Sequence, residues 1–231
     1  MDMKRVAIAM VAVSLMLVGL GAQPSLARYA KCTIFGTNGP DRLVGTARRD
    51  VICGGGGNDN LRGLSGNDVL RGGRGDDNLH GDRGDDLLLG GAGSDDFSGS
   101  EGDDVLKQGK GGGWMRGGPG DDRIRGGTGV DVIRPDTGDD RVHAGLGADI
   151  VYDGGGDDVI YGDRGEDRIQ AYRGRDRIYG GPGDDACLNV GDGKRGDRVD
   201  GNGGRDSFFA DTRDLVLRAE LRLTFPCETS S

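Results

Sequence analysis

Gly54-Gly55-Gly56-Gly57-Asn58-Asp59-Asn60-Leu61-Arg62 is one of 17 consecutive nine-residue blocks that cover residues 36–188 without an insertion. Position four of the block is glycine in 16 of the 17, with Arg48 as the exception. Position six is aspartate in 16, with Gly113 as the exception, and position eight is apolar in every block. A repeat this regular predicts a solenoid, in which each block is one unit that stacks on its neighbours.

The pattern resembles the haemolysin-type (RTX) glycine-rich calcium-binding nonapeptide repeat, G-G-x-G-x-D-x-U-x, where U is a large apolar residue. The resemblance covers residues 36–209, because two degenerate blocks follow a three-residue insertion at 189–191. It implies an all-β fold, a right-handed parallel β-roll (a β-helix solenoid) of nonapeptide repeats. It also implies that six residues of each block form a calcium-binding turn and three form a short strand, with block k stacked on block k + 2.

Position eight is the expected core of this fold. In a three-residue strand only the middle side chain faces inward, because successive side chains point to opposite faces of the sheet. Positions seven and nine carry many arginines, such as Arg62 and Arg123, as solvent-facing positions should. Glycines at positions one, two and four are expected to let the turn adopt positive φ and to bring carbonyl oxygens together.

The position-six aspartates are the candidate calcium ligands. A hard cation takes six to eight oxygen ligands at about 2.3–2.6 Å, drawn from carboxylates and carbonyls. We expect multiple Ca²⁺ ions, each held between the turns of blocks k and k + 2. Pairing the 17 turns in this way gives 15 sites, of which 13 have both aspartates. The expected metal ligands are Asp41, Asp50, Asp59, Asp68, Asp77, Asp86, Asp95, Asp104, Asp122, Asp131, Asp140, Asp149, Asp158, Asp167, Asp176, Asp185, Asp197 and Asp206.

An alternative is that these aspartates only cap turns, as Asp and Asn side chains often do. Position five, which is frequently Asn or Asp, suits that lesser role. At position six, stacked carboxylates about 4.8 Å apart would repel strongly with nothing between them. The spacing therefore favours calcium ligation over capping alone.

The block at 108–116 is a predicted weak point in the aspartate columns. Gly113 removes the carboxylate, so the two sites shared with the turns of Asp95 and Asp131 are expected to be empty or weakest. Lys110 places an ammonium group near this turn, where we expect it to substitute in part for the missing cation.

Residues 1–27 have the features of a secretory signal peptide. Lys4-Arg5 precedes an apolar run at 6–21, and small residues at the −3 and −1 positions favour cleavage after Ala27. Cleavage after Ala22 and an uncleaved membrane anchor are the alternatives. No second apolar run of that length occurs, so we expect a secreted, extracellular protein with no transmembrane segment in the mature chain.

Caps are expected at both ends of the repeats, because a solenoid exposes its core there. Residues 28–35 are interpreted as an N-terminal cap, with Ile34 at the core position. In residues 210–231, apolar and mostly polar residues alternate from Leu215 to Phe225, which predicts a closing strand followed by a tail.

Four cysteines allow three disulfide pairings. Cys53 and Cys187 are separated by about seven coils, or over about 30 Å, whereas a disulfide needs Cα atoms within about 7 Å. The pairing Cys32–Cys53 with Cys187–Cys227 keeps each bond at one end of the roll, and export permits it. Free thiols, with Cys187 as a small core residue, are the alternative.

Charge and motifs narrow the range of functions. The chain has 39 acidic and 30 basic residues and a formal net charge of −9, which argues against a nucleic-acid partner. No H-E-x-x-H or G-x-S-x-G motif occurs, and His80 and His143 belong to an odd and an even block, which lie on opposite sheets.

The family resemblance adds an expectation about function. Such repeats often follow a catalytic or pore-forming domain, for which the repeats leave no room in this chain. We therefore expect a non-enzymatic, calcium-loaded component of the cell surface or extracellular matrix. The alternative is an accessory or carbohydrate-binding module that acts on a cell-surface polysaccharide together with a separate partner enzyme.

Overall fold

Parallel β-strands separated by tight turns make up the described part of the chain. The computed structural model describes residues 32–189, 197–209, 215–217 and 221–222. The strands in these ranges are β1 (Ile34–Phe35), β2 (Arg42–Val44), β3 (Val51–Gly56), β4 (Asn60–Ser65), β5 (Val69–Arg74), β6 (Asn78–Arg83), β7 (Leu87–Ala92), β8 (Asp96–Glu101), β9 (Val105–Lys110), β10 (Trp114–Pro119), β11 (Arg123–Arg125), β12 (Val132–Thr137), β13 (Arg141–Leu146), β14 (Ile150–Tyr152), β15 (Gly154–Gly155), β16 (Val159–Arg164), β17 (Arg168–Gln170), β18 (Arg177–Pro182), β19 (Ala186–Asn189), β20 (Arg198–Gly203), β21 (Ser207–Phe209), β22 (Leu215–Leu217) and β23 (Leu221–Arg222).

The described strands form two parallel sheets between which the chain alternates. One sheet has the order β1-β3-β5-β7-β9-β11-β13-β16-β18-β20-β22, and the other has the order β2-β4-β6-β8-β10-β12-β14-β17-β19-β21-β23. The short strand β15 pairs with β12 outside this path. Successive strands therefore lie in opposite sheets, and the solenoid makes about nine turns. The predicted β-roll is confirmed.

No helix in the described ranges is long and apolar enough to cross a membrane.

Strand register confirms that block k stacks on block k + 2. Leu61 pairs with Leu79, and Leu70 pairs with Leu88, so each position-eight side chain lies over the one two blocks away. These side chains meet between the sheets, and in the described residues they form one continuous apolar column that is almost fully excluded from solvent. Ile34 and Val216 pack against its two ends. One large apolar residue per strand builds most of this core, and Ala144 and Ala171 at position one join it.

The strands are longer than predicted. Most have six residues rather than three, because pairing continues from position seven through position three of the next block. In β4 the alternation continues with it: Leu61 at position eight is buried, Arg62 is exposed, and Gly63 at position one of the next block is buried again. Position one therefore faces the interior, directly beside the turn.

The glycines serve two different purposes. At positions two and four most of them adopt positive φ, as predicted, and Gly57 is an example with φ of 100°. Gly39, Gly127 and Gly129 are the exceptions in residues 36–188. At position one the prediction of positive φ is wrong, and glycine is needed for space instead. A Cβ on Gly54 would lie 2.2 Å from Oδ2 of Asp59. The side chain at position one and the aspartate at position six compete for the same volume.

The C-terminal alternation resolves into two strands rather than one. β22 continues the first sheet and β23 continues the second, so they extend the roll by a further coil. Val216, not Leu215 or Leu217, pairs with the buried Val199. All three residues of β22 are apolar, so the alternation does not show which of them faces the core.

Candidate metal centre

The position-six aspartates form two columns, one from the odd blocks and one from the even blocks. Each member lies one coil from the next, except that Asp95 and Asp131 are two coils apart because Gly113 stands between them. Asp41, in the first block, is half-buried. The other members are buried, with at most 7% of their surface exposed: Asp50, Asp59, Asp68, Asp77, Asp86, Asp95, Asp104, Asp122, Asp131, Asp140, Asp149, Asp158, Asp167, Asp176, Asp185, Asp197 and Asp206.

From Asp59 to Asp206, one carboxylate oxygen of each position-six aspartate belongs to a backbone hydrogen-bond ladder. The N–H of Asp59 donates to Oδ1 of Asp77 at 2.8 Å, and the N–H of Asp122 donates to Oδ1 of Asp140 at 2.7 Å. The same bond recurs along both columns at 2.7–3.1 Å. Position six thus joins consecutive coils through Oδ1, and this structural role exists beside any metal ligation.

The second oxygen, Oδ2, is left without a donor along most of both columns. A buried acceptor without a partner costs about 1–3 kcal/mol, and more when it is charged. These oxygens point into their own turns, away from solvent. The unpaired Oδ2 atoms at position six belong to Asp59, Asp68, Asp77, Asp86, Asp104, Asp122, Asp140, Asp149, Asp158, Asp167 and Asp185.

Carbonyl oxygens line the same space. The point that a Cβ on Gly54 would occupy is 2.2 Å from Oδ2 of Asp59 and 2.7 Å from the carbonyl oxygen of Gly72, one coil later. At Gly63 the nearest atoms are again the turn's own aspartate and a carbonyl of the next coil. Carboxylate and carbonyl oxygens from two stacked turns are the donor set that calcium prefers. The residues present therefore fit a hard cation between turns.

The pKa values of these aspartates show what burial does without a cation. Burial raises the pKa of Asp77 to about 7 and that of Asp140 to about 8, and neighbouring carboxylates add to the increase. Because the ordinary value is 3.8, the stability gained from neutral carboxyls is present below about pH 4. It is lost as the pH rises through about 7–8. At neutral pH a cation can take the place of those protons.

The first two turns satisfy Oδ2 within the protein. Oδ2 of Asp41 accepts hydrogen bonds from the backbone N–H and the hydroxyl of Thr37, at 2.6 and 2.9 Å. Oδ2 of Asp50 accepts the same pair from Thr46, at 2.7 and 2.8 Å. A threonine at position two thus supplies the donors that these oxygens lack elsewhere. These turns have the least need of a cation.

The side chain of Gln108 fills the turn whose aspartate is missing. Gln108 stands at position one of its block and is 1% exposed. Its Nε2 donates to the carbonyl oxygens of Gly93 and Gly112, each at 3.1 Å, and lies 3.5 Å from Oδ2 of Asp95. The amide of Gln108, not the ammonium of Lys110, therefore supplies the positive charge density here. Lys110 is exposed, and the expectation that it substitutes for the cation is wrong.

Sequence reasoning missed position one as a place for functional side chains. Gln108 and Asp153 are both there, and both are buried beside the turn oxygens. The signal was available, since position one is glycine in most blocks and each departure from glycine is visible. The pattern does not show that position one faces the turn, because glycine has no side chain to indicate the direction.

The structure places Cys32 close to Cys53 at the N-terminal end of the roll. The Sγ atoms of Cys32 and Cys53 lie within bonding distance, and their Cα atoms are 6.1 Å apart, in the range of disulfides. Cys227 lies outside the described residues, so the pairing Cys187–Cys227 stays a prediction.

Comparison with known families agrees with the geometry. The RTX calcium-binding nonapeptide repeat (4 copies) matches residues 35–70, 71–106, 109–142, 135–169 and 164–187. These matches cover well over half of the chain, which belongs to this family. No curated protein matches the chain. RTX repeats bind Ca²⁺, so the protein is a calcium-binding repeat protein with buried aspartates suited to multiple ions.

The substitution Gln108→Glu tests whether the amide replaces a cation. It keeps the shape but turns a donor into a charged acceptor that faces three oxygens, so it should destabilise the roll by about 1–3 kcal/mol at low calcium. Saturating calcium should restore the melting temperature, with one more ion bound per chain. Elemental analysis after dialysis counts the ions, and differential scanning calorimetry gives the melting temperature.

Lys110→Gln is the matched control, because it changes an exposed side chain in the same block and should alter neither quantity. If Gln108→Glu melts like the wild type at low calcium, the amide does not carry out this role. Gly113→Asp is a poorer test, since a Cβ on Gly113 would lie 1.9 Å from the carbonyl oxygen of Asp95.

Proposed function

We propose that this protein is a secreted, non-enzymatic calcium-binding component of the cell surface or extracellular matrix, and that the ions hold the roll together. The carrying observation is the repeated, buried Oδ2 without a donor in both aspartate columns. The position-six aspartates from Asp41 to Asp206 are the proposed ligands, together with turn carbonyls. Gly113 and the two threonine-satisfied turns bring the number of ions below one for each pair of turns.

Calcium is proposed to be needed for folding because the apolar core is thin. Each strand contributes one core side chain, such as Leu79 or Ile133, while the turns order many glycines. Ordering a residue costs about 1–2 kcal/mol of backbone entropy, and glycine loses the most. Buried carboxylates with raised pKa values add a further cost at neutral pH. Cations between the turns offset the carboxylate cost and link consecutive coils.

Removal of calcium should therefore unfold the chain. In excess chelator at neutral pH, circular dichroism should show loss of the β-signal, and the signal should return at about 10⁻⁴–10⁻³ M calcium, as for other extracellular sites. Magnesium at the same concentration is the control and should restore little, because it demands octahedral geometry at about 2.0–2.1 Å. A chelated protein with the same β-signal and melting temperature as the calcium-loaded protein would contradict the proposal.

Export is the second part of the proposal, and it rests on the sequence of residues 1–27, with support from the Cys32–Cys53 pair. We propose a disulfide at that pair, since an oxidising compartment permits it. Intact mass spectrometry of the protein from culture medium should give a chain that begins at Arg28 and is lighter than its reduced form by two hydrogen atoms for each disulfide. A chain that retains residues 1–27 and stays with the cells would refute export.

A second candidate function is contact with a cell-surface polysaccharide. On the outer face of one sheet the rings of His143, Tyr161 and Tyr179 stack, with centroids 4.4 and 4.8 Å apart. The last two rings border a surface cavity of about 410 Å³, which Arg164 and Asn202 also line. Aromatic rings beside hydrogen-bonding groups suit sugars, which present both apolar and hydroxyl faces.

A glycan array with the calcium-loaded protein tests this candidate. Tyr179→Ala should abolish any signal, because it removes the ring at the end of the stack beside the cavity. Tyr152→Ala is the control, since Tyr152 lies on the other sheet. An array without a bound glycan, or a signal that Tyr179→Ala leaves intact, excludes a polysaccharide site at this face and leaves the calcium-dependent fold unaffected.

A further inference from the structure

Asp153 is an acidic residue at the position where most blocks have glycine. It precedes the turn of Asp158, and its side chain faces the interior with no exposed surface. Its Oδ1 accepts hydrogen bonds from the backbone N–H of Gly154 and, across to the next coil, from that of Tyr172 at 2.8 Å. Its Oδ2 is buried without a donor. The side chain is thus held in place while one oxygen is left over.

Three carboxylates meet at this point. Asp153, Asp158 and Asp176 each offer an oxygen, and these oxygens all lie within 4.8 Å of one another. Asp158 has no exposed surface and Asp176 is 2% exposed. Oδ1 of Asp158 and Oδ1 of Asp176 are both held by the backbone ladder, and Oδ2 of Asp158 has no donor. Three negative charges converge on a buried space that two charges share in the neighbouring coils.

We propose that Asp153, Asp158 and Asp176 form a three-carboxylate calcium site that fills at lower calcium concentration than the two-carboxylate sites of the other coils. The inference rests on the proposed function and adds a ligand that the nonapeptide pattern does not contain. Affinity for calcium increases with the number of charged ligands, and rigid ligands lose little freedom on binding. Both conditions hold here, because backbone N–H groups fix all three side chains.

The competing occupant of the space is a proton. Burial raises the pKa of Asp153, and the charges of Asp176 and Asp158 raise it further. Burial also raises the pKa of Asp158. A proton shared between these two carboxyls would satisfy one oxygen but leave the third carboxylate unbalanced. A divalent cation satisfies all three at once, which favours calcium.

Calcium titration of the full chain against a chromophoric chelator tests the inference, with ions per chain counted by elemental analysis. Asp153→Gly restores the common form of the block, so the chain should still fold and bind the same number of ions. Its tightest class of sites should bind at least about tenfold more weakly than in the wild type. Asp153→Asn should also weaken that class while keeping the side chain's shape. Asp157→Asn is the control, because Asp157 is an exposed residue of the same turn that pairs with Arg175, and it should leave the affinity unchanged.

The outcomes separate this inference from the proposed function. A wild-type chain that binds no calcium refutes both. A wild-type chain that binds several ions, with Asp153→Gly and Asp153→Asn matching its tightest affinity, refutes only the three-carboxylate site. Loss of tight binding in both Asp153 variants, with the Asp157→Asn control unaffected, supports the site.

Discussion

The roll depends on the different roles of the two carboxylate oxygens in each buried aspartate. Oδ1 accepts a backbone N–H from the adjacent coil, and this bond fixes the carboxylate in the turn. Oδ2 then faces carbonyl oxygens with no donor within reach, a cost that neither packing nor hydrogen bonding removes. The ladder that joins the coils is thus the same device that creates the demand for a cation. The same aspartate side chain therefore joins two coils through Oδ1 and offers a metal ligand through Oδ2.

The residue at position one affects the need for a cation, because its side chain would occupy the space beside Oδ2 of the aspartate. Glycine leaves the oxygen exposed to the turn interior, as at Gly54. A glutamine at this position can donate hydrogen bonds from its amide to the turn oxygens, as Gln108 does. An aspartate at this position adds a further negative charge that a cation can balance, as Asp153 does. Position one, together with position two in the first two turns, therefore determines whether protein atoms satisfy Oδ2 or leave it to a cation.

Much of the fold could be predicted from the sequence, because the nine-residue period leaves few alternatives. Position eight is apolar in every block, which predicts the core. The resemblance to the RTX repeat implies the rest, namely the alternation between sheets and the stacking of Leu61 on Leu79. The length of the strands did not follow, since glycines at positions one to three give no side-chain pattern to read. For a related reason, the sequence predicts one C-terminal strand where the structure has two. A run of alternating residues from Leu215 does not show where the chain passes from one sheet to the other.

The candidate site was predicted less completely, for physical reasons. Spacing and charge pointed to the position-six columns, and ligation was set against capping as though one excluded the other. The two oxygens of Asp77 fulfil separate roles, which no one-dimensional pattern reveals. The sequence draws attention to Lys110 because it carries a formal charge, whereas nothing in the pattern marks Gln108 as a donor. Inside the turn, direction matters more than charge: an amide that faces three oxygens is better placed than an ammonium in solvent.

The two ends of the roll differ in whether Oδ2 of the position-six aspartate has a hydrogen-bond donor. At the N-terminal end, Thr37 and Thr46 supply the donors for Oδ2, and Cys32 lies within bonding distance of Cys53. Beyond these coils the unpaired oxygens begin at Asp59 and recur through most later turns. In a solenoid each coil is stabilised mainly by its neighbours, and order can start at any coil and propagate. Because the N-terminal turns satisfy Oδ2 without a cation, they offer later coils an edge to which a strand and an ion can be added.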